Sequence, residues 1–423
     1  MRAEVLTIGT ELLTPGRGDT NSGYLIERLG AVGIPVIHRA TILDDRRAIA
    51  EAARHAVARA DLVLATGGLG PTSDDVTREG FADAMGLALD LDEIVLEKIR
   101  VRFESRGLVM PEVNHRQAQV LAGAEVLANA VGTAPGQWIR WSAHAGGAPT
   151  EIVLLPGPPE ELRSVFEAHV LPRLEKSAQG VTYVMQRLLV SGLPESAVEQ
   201  IVGAIYRELD NPRTTILASP GQVEIDLVAK GRTVSEAKGL NEMLVQKMRA
   251  VLGNRIFSEE GEPLEEVVGR KLSERSLSLA VAESCTGGLI THRLTQVSGS
   301  SRYLERAFVT YSNASKVELL GVDEELIRSH GAVSHEVAES MARGARSRAR
   351  TDLAIAVTGI AGPTGGSADK PVGLVFVAVC DDSGCIVQKL QIPGTRTQVK
   401  QWSSQAALDL LRWRLIGQEP PSP

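Results

Sequence analysis

Short apolar runs alternate with helix-forming segments through the first 175 residues of the chain, and the alternation returns after residue 259. In the first stretch, the strand-like runs are EVLTIG, IPVIHRAT, DLVLATGG and EIVLLPG, and helical patterns lie near 21–32, 46–60 and 75–86. Strands that alternate with helices are typical of a mainly parallel sheet with helices packed on it. We therefore predict a doubly wound α/β domain for this stretch.

The second stretch repeats the pattern with its own strands and helices. Its strand-like runs are LSLAVAE, RAFVTYS, DLAIAVTG, VGLVFVAVC and CIVQKLQIPG, and its helical patterns lie near 286–296, 334–349 and 397–415. Because strands and helices again alternate, we predict a second doubly wound domain.

Residues 181–257 have a different character. The predicted order is a strand (VTYVMQRLLV), a helix after Pro194, two strands (TTILASP and QVEIDLVAKG) and a helix over 234–251, and LPRLEKSAQG closes a helix before them. A chain of 423 residues exceeds what one hydrophobic core usually supports. The predicted fold is α/β, with two doubly wound, mainly parallel-sheet domains joined by a small α+β domain. The predicted boundaries are 1–175, 176–258 and 259–423.

The charge of the chain argues against nucleic acid as a partner. The formal net charge is -7 and the sequence pI is about 5.7, whereas nucleic-acid-binding domains usually carry a basic face. The nearest approach to a basic stripe is RGARSRAR at 343–350. Arginines at the end of a predicted helix also suit its C-terminal dipole, and we favour that interpretation. Small-molecule ligands are expected.

The cysteines and the N-terminus indicate a compartment. Cys285, Cys380 and Cys385 have no CxxC spacing, which argues against a disulfide scaffold or a zinc ribbon and fits a reducing compartment. The N-terminal residues run directly into a strand without a signal-peptide pattern, and the longest apolar runs have the length of strands. We expect a cytoplasmic protein with no membrane partner.

A glycine-rich loop follows the third predicted strand, in LVLATGGLGPTSDDVTREG. Gly67, Gly68 and Gly70 let backbone amides approach an anion closely, and the next helix N-terminus adds donors, so the loop suits a phosphate. Asp74 and Asp75 stand where a helix cap would be, and capping is one interpretation. The other is a hard cation such as Mg²⁺, since two carboxylates beside a phosphate need a cation to offset their repulsion.

Several motifs of this half occur in the order of a known family. TGGLGPTSDD, with IGTELL, DTN, NHRQA, NAVGTAPG and LPGPPEEL, resembles the molybdopterin-binding-like domain of the CinA family, the competence/damage-inducible proteins A. Between GTELL and DTN this chain has TPGRG, where the family usually has a more apolar link, and LPGPPEEL also fits a rigid strand-to-helix turn. The resemblance implies hydrolysis of ADP-ribose with a divalent metal such as Mg²⁺ held by Asp74 and Asp75. The residues expected to bind phosphate are Asp19, Asn21, Gly67, Gly68, Gly70 and Thr72.

Ser284 lies at a strand-to-helix turn of the second stretch, in VAESCTGGL. Thr286, Gly287 and Gly288 follow it and can supply amides and a hydroxyl at a helix N-terminus. A serine in this position suits a helix N-cap, or it suits a nucleophile beside an oxyanion site. The neighbouring Cys285 is expected to be a small packed residue, because no histidine is near to generate a thiolate.

A second polar cluster favours the nucleophile. TYSNASK places Tyr311, Asn313 and Lys316 after one predicted strand, and VTGIAGPTGG ends another with Thr358. Because the carboxyl ends of parallel strands share one edge of a sheet, these clusters are expected to converge on Ser284. No histidine has a usable spacing, so Lys316 is the candidate base. A lysine that is desolvated beside hydroxyls can fall in pKa from about 10.4 toward about 7 or 8.

The resemblance to the CinA family continues to the other end of the chain. AESCTGG, SGSSRYLERAFVTYSNASK, GAVS, VTGIAGPTGG and DKPVGLV resemble the CinA C-terminal domain and its stand-alone relatives, the nicotinamide-nucleotide amidases. These are serine/lysine hydrolases, which implies Ser284 as nucleophile and Lys316 as base, with no cofactor. Tyr311 would assist proton transfer. The residues that the resemblance places at the substrate or the oxyanion are Thr358, Ser301, Thr286, Gly287, Gly288, Asn313, Gly359 and, for the substrate phosphate, Arg396.

The resemblance implies a function in pyridine nucleotide salvage. The C-terminal domain would hydrolyse the carboxamide of nicotinamide mononucleotide to nicotinic acid mononucleotide and ammonia, the N-terminal domain would cleave ADP-ribose, and the chain would form a homodimer. The rival hypothesis is a regulatory or scaffolding protein of DNA uptake and recombination that has lost its chemistry. Ser284, Tyr311, Lys316 and Thr358 all occur in order, which favours the enzyme.

Overall fold

The computed structural model describes residues 1–142, 149–177 and 182–421. Residue contacts divide the chain into two compact units, Met1–Val184 with Ala229–Lys238 and Met185–Val228 with Gly239–Pro423. Within the described residues, no helix is both long enough and apolar enough to cross a membrane. The predicted break at the end of LPRLEKSAQG falls on residues 178–180, which lie outside the described residues.

The first unit is built around a six-stranded sheet with the order β2-β1-β3-β8-β7-β6. Strands β2, β1, β3 and β8 are parallel, and β7 and β6 are antiparallel to their neighbours. A second, two-stranded sheet pairs β4 with β5. The strands are β1 (Ala3–Ile8), β2 (Val36–Ile42), β3 (Leu62–Thr66), β4 (Leu89–Leu91), β5 (Gln119–Leu121), β6 (Glu125–Leu127), β7 (Gly136–Trp141) and β8 (Thr150–Leu155). The helices are α1 (Asn21–Ala31), α2 (Arg46–Arg59), α3 (Thr77–Met85), α4 (Glu93–Glu104), α5 (Pro159–Val165) and α6 (Leu171–Ser177).

The central strands β1, β3 and β8 of this sheet are buried on both faces. Val5 and Leu64 point into a core shared with α1 and α5, whereas Leu6 and Val63 point into a core shared with α2 and α3. Successive residues of a strand face opposite sides of a sheet, so runs such as EVLTI and LVLAT feed two cores at once. This burial on both faces explains why the central strands are largely apolar.

The middle segment forms a four-stranded sheet in the order β10-β11-β9-β12, with two helices. Val198 and Val202 of the first helix pack with Leu244 and Met248 of the second in one apolar cluster. This is the predicted α+β unit. Its elements are β9 (Thr182–Ser191), α7 (Glu195–Tyr206), β10 (Arg213–Ser219), β11 (Gln222–Gly231), α8 (Val234–Leu252) and β12 (Ile256–Ser258).

The C-terminal segment has a five-stranded sheet in the order β14-β13-β15-β16-β17. Along β13 and β15, leucine, isoleucine and valine face one core, and the alternating alanines face a second core beneath α13. The strands are β13 (Leu279–Glu283), β14 (Leu304–Val309), β15 (Leu353–Gly359), β16 (Leu374–Asp381) and β17 (Gly384–Gln391). The helices are α9 (Leu264–Glu274), α10 (Leu289–Gln296), α11 (Asn313–Leu320), α12 (Glu324–His330), α13 (His335–Ala349) and α14 (Arg396–Leu415).

Strand directions in this sheet are mixed. Strands β14, β13 and β15 are parallel, but β16 is antiparallel to β15, and β17 is antiparallel to β16. Residues 360–373 contain no helix, and only two residues separate β16 from β17. Parallel neighbours need a long crossover, usually helical, so these connections give antiparallel pairs. The predicted α/β class with mainly parallel sheets is confirmed.

Cys380 and Cys385 form a disulfide across the β16–β17 hairpin. The register of the hairpin pairs the two residues directly, with a Cα–Cα distance of 4.1 Å. The cysteine spacing argued against a disulfide scaffold and gave no indication of this bond. The pairing depends on the strand register, because a two-residue turn places positions five apart opposite each other.

Candidate active sites

The carboxyl ends of three parallel strands meet at one edge of the five-stranded sheet. Ser284 directly follows β13, Thr310 directly follows β14, and Thr358 is the penultimate residue of β15. Ser284 donates its backbone N–H to the carbonyl of Val357 (3.0 Å), and Thr310 donates its own to the carbonyl of Glu283 (2.8 Å). The structure therefore brings these three strand ends into one polar cluster.

Lys316 and Ser284 form a buried pair at the centre of this cluster. Lys316 lies in α11 and is 1% exposed, and its Nζ is 3.1 Å from Oγ of Ser284. Nζ also donates to the carbonyls of Thr310 (2.9 Å) and Ser312 (3.5 Å). A neutral amine has two hydrogens and one lone pair. With the hydrogens directed to the two carbonyls, the lone pair is left to accept the serine proton.

The surroundings of Lys316 favour its neutral form. Burial lowers the pKa of Lys316 below its ordinary value, because the charged ammonium loses hydration. Within the described part of the chain no carboxylate forms an ion pair with Lys316. This is the property that a lysine needs to act as a general base near neutral pH.

Cys285 is also buried, but burial makes this side chain less reactive. Its side chain is buried against Gly359, where an added Cβ would lie 3.1 Å from Sγ. Burial raises the pKa of the Cys285 thiol to about 12. The nucleophilic form of cysteine is the thiolate, so a thiol that stays protonated is inert. The geometry thus favours Ser284 as the nucleophile.

Glu283 is a buried carboxylate that the sequence analysis missed. It is fully buried, and it accepts the backbone N–H groups of Gly288 (2.9 Å), Ile290 (3.1 Å) and Thr291 (2.9 Å), as well as the hydroxyl of Thr291 (2.6 Å). It therefore closes the N-terminus of α10 and fixes the loop that carries Ser284. A charged residue at the end of an otherwise apolar strand is the signal that could have revealed it.

The same contacts restrict which amides can face a substrate. The amide of Gly288 is bound to Glu283, and the amide of Gly287 donates to the carbonyl of Ser284 (3.1 Å). The expectation that both glycines supply free amides at the site is therefore not met. Their positive φ angles, 60° and 93°, instead let the chain turn within a short loop. The hydroxyl of Thr286 is fully buried and has no hydrogen-bond partner among the described residues.

Arg396 and Tyr311 contact each other, and Tyr311 lies two residues after the end of β14. Arg396 is the first residue of α14, and it donates to the carbonyl of Gly362 (2.9 Å) and to the hydroxyl of Tyr311 (2.8 Å). The Tyr311 side chain is 62% exposed. Thr358 donates its hydroxyl to the carbonyl of Ala332 (2.8 Å), so here it anchors a neighbouring loop instead of facing an oxyanion.

The other three residues predicted at the site, Ser301, Asn313 and Gly359, lie at different places relative to the Ser284–Lys316 pair. Ser301 lies in a 3₁₀ turn, Ser300–Arg302, just before β14, so it is at the sheet edge opposite Ser284. A single chain therefore does not bring Ser301 to the Ser284–Lys316 pair. Asn313 is the exposed first residue of α11, one turn before Lys316, and Gly359 ends β15 against Cys285.

A second cluster lies at the carboxyl edge of the parallel strands in the first unit. Asp19 accepts the hydroxyl of Thr7 (2.8 Å) and the backbone N–H of Ser22 (2.9 Å), and these hydrogen bonds help to keep its pKa lowered although burial opposes them. Asn21 donates to the carbonyl of Gly157 (2.7 Å) and to the hydroxyl of Thr66 (3.2 Å). The DTN, TGG and LPG motifs are thus adjacent.

The glycine loop packs too closely for side chains. A Cβ on Gly67 would lie 2.0 Å from the carbonyl oxygen of Ile8, and one on Gly68 would lie 2.2 Å from the hydroxyl oxygen of Thr77. Both glycines have positive φ angles, 100° and 64°. Other residues adopt this backbone only at a cost, so the loop conformation depends on glycine.

Two arginines hold this loop, and neither belongs to the residues predicted from the sequence to bind phosphate. Arg78 is 1% exposed and donates to the carbonyls of Leu69 (3.0 Å) and Gly70 (3.1 Å). Arg116 donates to the carbonyls of Thr72 (2.9 Å) and Asp75 (3.1 Å). Burial lowers the pKa of Arg78 to about 10, so it keeps its charge at neutral pH. A positive charge beneath the loop supports the binding of an anion.

Asp74 and Asp75 do not cap α3. That helix begins at Thr77, its N-cap residue is Val76, and no side chain caps it. The Asp75 carboxylate instead accepts the backbone N–H (2.8 Å) and the hydroxyl of Thr72, which closes a short turn. Hydrogen bonding from Thr72 lowers the pKa of the exposed Asp74, so this carboxylate is ionised at neutral pH.

The described residues supply few ligands for a metal ion at Asp74 and Asp75. Within residues 1–142, 149–177 and 182–421, no group of three or more histidine, cysteine, aspartate or glutamate side chains is placed to hold an ion. Mg²⁺ is usually bound through one or two carboxylates together with water and substrate phosphates. A cation here would therefore need water and substrate phosphates as ligands in addition to Asp74 and Asp75.

LPGPPEEL and NAVGTAPG support each other structurally. Glu161 accepts a hydrogen bond from the amide of Asn129 (2.7 Å), and the Asn129 oxygen accepts the backbone N–H groups of Val131 and Gly132. Glu161 thus stabilises a turn, which agrees with the interpretation of LPGPPEEL as a rigid strand-to-helix turn.

The order of the domains and the polar residues at the two sheet edges define a class of protein. It has a molybdopterin-binding-like α/β domain, a small α+β domain and a C-terminal α/β domain with a buried serine–lysine pair. Family models match each part: the "Probable molybdopterin binding domain" over 4–176, the "Damage-inducible protein CinA KH domain" over 186–258 and the "CinA C-terminal domain" over 261–415. The chain belongs to the CinA family.

Relatives align with this chain over nearly its whole length. A CinA-like protein of Koribacter versatilis is 45% identical over 416 residues, which cover 98% of this chain and 100% of that protein. A CinA-like protein of Solibacter usitatus is 44% identical over 417 residues, 99% of each chain. The crystal structure of competence/damage inducible protein CihA from Agrobacterium tumefaciens is 42% identical and covers 36% of this chain and 93% of its own, with a TM-score of 0.35.

Proposed function

We propose that the C-terminal site hydrolyses the carboxamide of nicotinamide mononucleotide to nicotinic acid mononucleotide and ammonia. The observation that carries this proposal is the buried Ser284–Lys316 pair, with Nζ 3.1 Å from Oγ and no competing ion pair among the described residues. A serine with an adjacent base of lowered pKa is the arrangement that nucleophilic amide hydrolysis requires.

In the first half of the proposed reaction, Oγ of Ser284 attacks the amide carbon while Nζ of Lys316 takes the hydroxyl proton. The tetrahedral intermediate collapses, the C–N bond breaks, and the ammonium of Lys316 returns its proton to the departing nitrogen, which leaves as ammonia. The hydroxyl of Thr286, which has no hydrogen-bond partner among the described residues, would donate to the oxyanion after a local shift of the loop.

In the second half, water attacks the acyl-enzyme ester and Lys316 again accepts the proton. The ester bond breaks, nicotinic acid mononucleotide leaves, and Ser284 regains its hydroxyl. No electron transfer and no cofactor is needed. Tyr311 and Arg396, joined by a hydrogen bond, would contact the substrate.

The test is ammonia release by the purified full-length chain. We expect release from nicotinamide mononucleotide with one nicotinic acid mononucleotide formed per ammonia, resolved by chromatography. Full-length protein that is folded and shows no ammonia release with this nucleotide would contradict the proposal. That result would favour the alternative, a regulatory or scaffolding protein of DNA uptake and recombination, which the competence-damage names of relatives suggest.

We further propose that the N-terminal site cleaves ADP-ribose at its pyrophosphate. The glycine loop over Arg78 would hold the phosphates, with Thr72, Asp19 and Asn21 at its border. Mg²⁺, held by Asp74 and Asp75, would neutralise the charge that builds on the leaving phosphate.

The two proposed activities should differ in their dependence on metal. EDTA is expected to abolish ADP-ribose hydrolysis, and Asp74→Asn to weaken it about tenfold or more, because pyrophosphate cleavage needs a cation that carboxylates hold. Neither change should affect ammonia release, since among the described residues the proposed amidase site is built from hydroxyls and a lysine and has no group of carboxylates that could hold a metal. Both activities are measured on the full-length chain.

Two outcomes would contradict this division. Amidase activity lost with EDTA would reveal a metal site in the C-terminal domain. ADP-ribose hydrolysis unaffected by both EDTA and Asp74→Asn would return TGGLGPTSDD to the role of a structural turn. Asp90→Asn, at an exposed strand residue outside the loop, is the matched control.

A further inference from the structure

A cavity of about 450 Å³ lies between the end of α13 and the β16–β17 hairpin. Thr351, in its lining, stands two residues before β15, whereas Thr358, near the end of that strand, lies at the Ser284 edge. A seven-residue strand spans about 20 Å, so the cavity is at the opposite edge of the sheet from the candidate active site. Its lining includes three arginines and two hydroxyl residues, Arg343, Arg346, Arg350, Ser347 and Thr351.

The three arginines recur along one face of α13. Arg343, Arg346 and Arg350 are three and four residues apart, the spacing that brings side chains to one side of a helix. The helix dipole accounts for only part of this arrangement, because its effect fades beyond the last turn. Arg346 lies in that turn, but Arg343 precedes it and Arg350 follows the last helical residue. Arg348 is also in the last turn, and its guanidinium lies near Gly321, away from the cavity lining.

Arg350 has a backbone conformation that favours glycine. Its φ and ψ angles are 55° and 45°, in the left-handed region where helices commonly end with glycine, because a Cβ is strained there. The exposed guanidinium of Arg350 has no hydrogen bond or ion pair with the part of the chain that the structure describes. An arginine that is held at a conformational cost, with no partner of its own, indicates a site for a ligand.

The acidic residue of the lining does not neutralise Arg350. Asp381 accepts hydrogen bonds from Nε of Arg414 (2.6 Å) and from the hydroxyl of Ser383 (2.7 Å). Its charge is therefore balanced by an arginine outside the lining. Arg350 is left as the uncompensated charge of the cavity.

The other two arginines form ion pairs at the surface. Arg343 pairs with Glu339 (2.7 Å) along α13, and Arg346 pairs with Asp382 of the hairpin, which is 91% exposed. Exposed ion pairs contribute little to stability, because water competes for both partners. An anion of higher charge can therefore displace these carboxylates and recruit both arginines beside Arg350.

We propose that this cavity binds a small phosphorylated molecule through a phosphate or diphosphate group held by Arg350, Arg343 and Arg346. Guanidinium groups match phosphate oxygens in geometry and bind them through paired hydrogen bonds. The hydroxyl of Ser347, which has no partner among the described residues, is a further donor. Cavities of about 300 to 1,000 Å³ hold small organic ligands, so there is room for the rest of the molecule. The site is separate from both proposed active sites.

The test is binding of inorganic pyrophosphate to the full-length chain, followed by amide hydrogen exchange. EDTA is present, so that no metal carries the anion to the N-terminal loop. We expect pyrophosphate to slow exchange in peptides that cover 343–351, because the ligand ties the end of α13 to the hairpin. Exchange is measured peptide by peptide, so binding at the Gly67 or Ser284 loops is resolved separately.

Arg350→Gly is expected to weaken pyrophosphate binding at this site about 10- to 100-fold, the scale of a hydrogen bond to a charged group. Glycine suits the left-handed backbone, so the variant should unfold at a temperature no lower than that of wild type. Arg350→Lys keeps the charge without the planar fork and should lose less affinity. Arg348→Ala removes the same charge from the same helix end and is the matched control.

Protection at 343–351 that is lost in Arg350→Gly and kept in Arg348→Ala would support the site. Wild-type protein without such protection would overturn the proposal, and so would an equal loss in Arg348→Ala or equal protection by sodium chloride at the same ionic strength. Protection by single-stranded DNA but not by pyrophosphate would assign the arginines to nucleic acid and would also overturn it.

Discussion

Ser284→Ala is expected to reduce ammonia release from nicotinamide mononucleotide by about 10⁴-fold or more, the scale seen when a hydrolytic serine is removed. The reason is geometric: Oγ of Ser284 is the hydroxyl that lies within 3.1 Å of the buried amine of Lys316. Cys285→Ala should keep most of the activity, because the Cys285 thiol is buried against Gly359 and its pKa is raised to about 12. Steady-state ammonia release measures both variants.

The control for the Ser284→Ala and Cys285→Ala variants is a measurement that both are folded. Ser284→Ala deletes one small polar atom and should unfold at a temperature close to that of wild type. A dead Cys285→Ala beside an active Ser284→Ala, with both proteins folded, would reverse the assignment. Mass spectrometry of a trapped acyl-enzyme would then identify the residue that carries the acyl group.

Lys316→Met is expected to lower kcat/KM by about 10²- to 10⁴-fold, the range of general acid–base catalysis. In wild type, activity should rise with pH, because only the neutral amine accepts the serine proton. Burial lowers the pKa of Lys316, so the midpoint of this rise should lie below the ordinary lysine value of 10.5. A pH profile of kcat/KM measures it. A midpoint near 10.5, or full activity in Lys316→Met, would contradict the role.

Lys316 should also affect stability, with a definite sign. A folded-state pKa below the unfolded one means that the unfolded chain binds more protons, so stability rises with pH across this window. The stability of Lys316→Met relative to wild type should therefore be most favourable near neutral pH and should fall as the pH approaches 10.5, whatever constant cost comes from the carbonyls of Thr310 and Ser312 that lose their donor. Denaturant unfolding at several pH values measures this effect. Lys389→Met, at an exposed position, should show no such trend.

The elements of the fold could largely be predicted from the sequence. Alternating apolar runs and helical patterns placed α2 and α13 to within about one residue, since amphipathic periodicity is a local property. The direction of the strands relative to one another could not be predicted from local patterns. VGLVFVAVC and CIVQKLQIPG were predicted as strands, but their antiparallel pairing depends on a connection without a helix and on a two-residue turn.

Some residues of the candidate sites could likewise be predicted from the sequence, and others could not. Ser284 and Lys316 were found because polar residues after parallel strands must share a sheet edge. Ser301 also lies near a strand, but before β14 instead of after it, and so it falls at the opposite edge. Side chains that act through contacts distant in sequence, such as Arg78 beneath the glycine loop, carried no recognisable local pattern.

The sequence by itself therefore determined the α/β class, the family resemblance and the nucleophile–base pair. Each of these depends on periodicity, or on motifs a few residues long. Only the tertiary structure decided the environments: the burial that lowers the pKa of Lys316, the four donors that occupy Glu283 and the cavity that brings three arginines together at the end of α13. Desolvation and hydrogen-bond partners depend on which atoms surround a group in space, and that arrangement exists only after the strands and helices have packed.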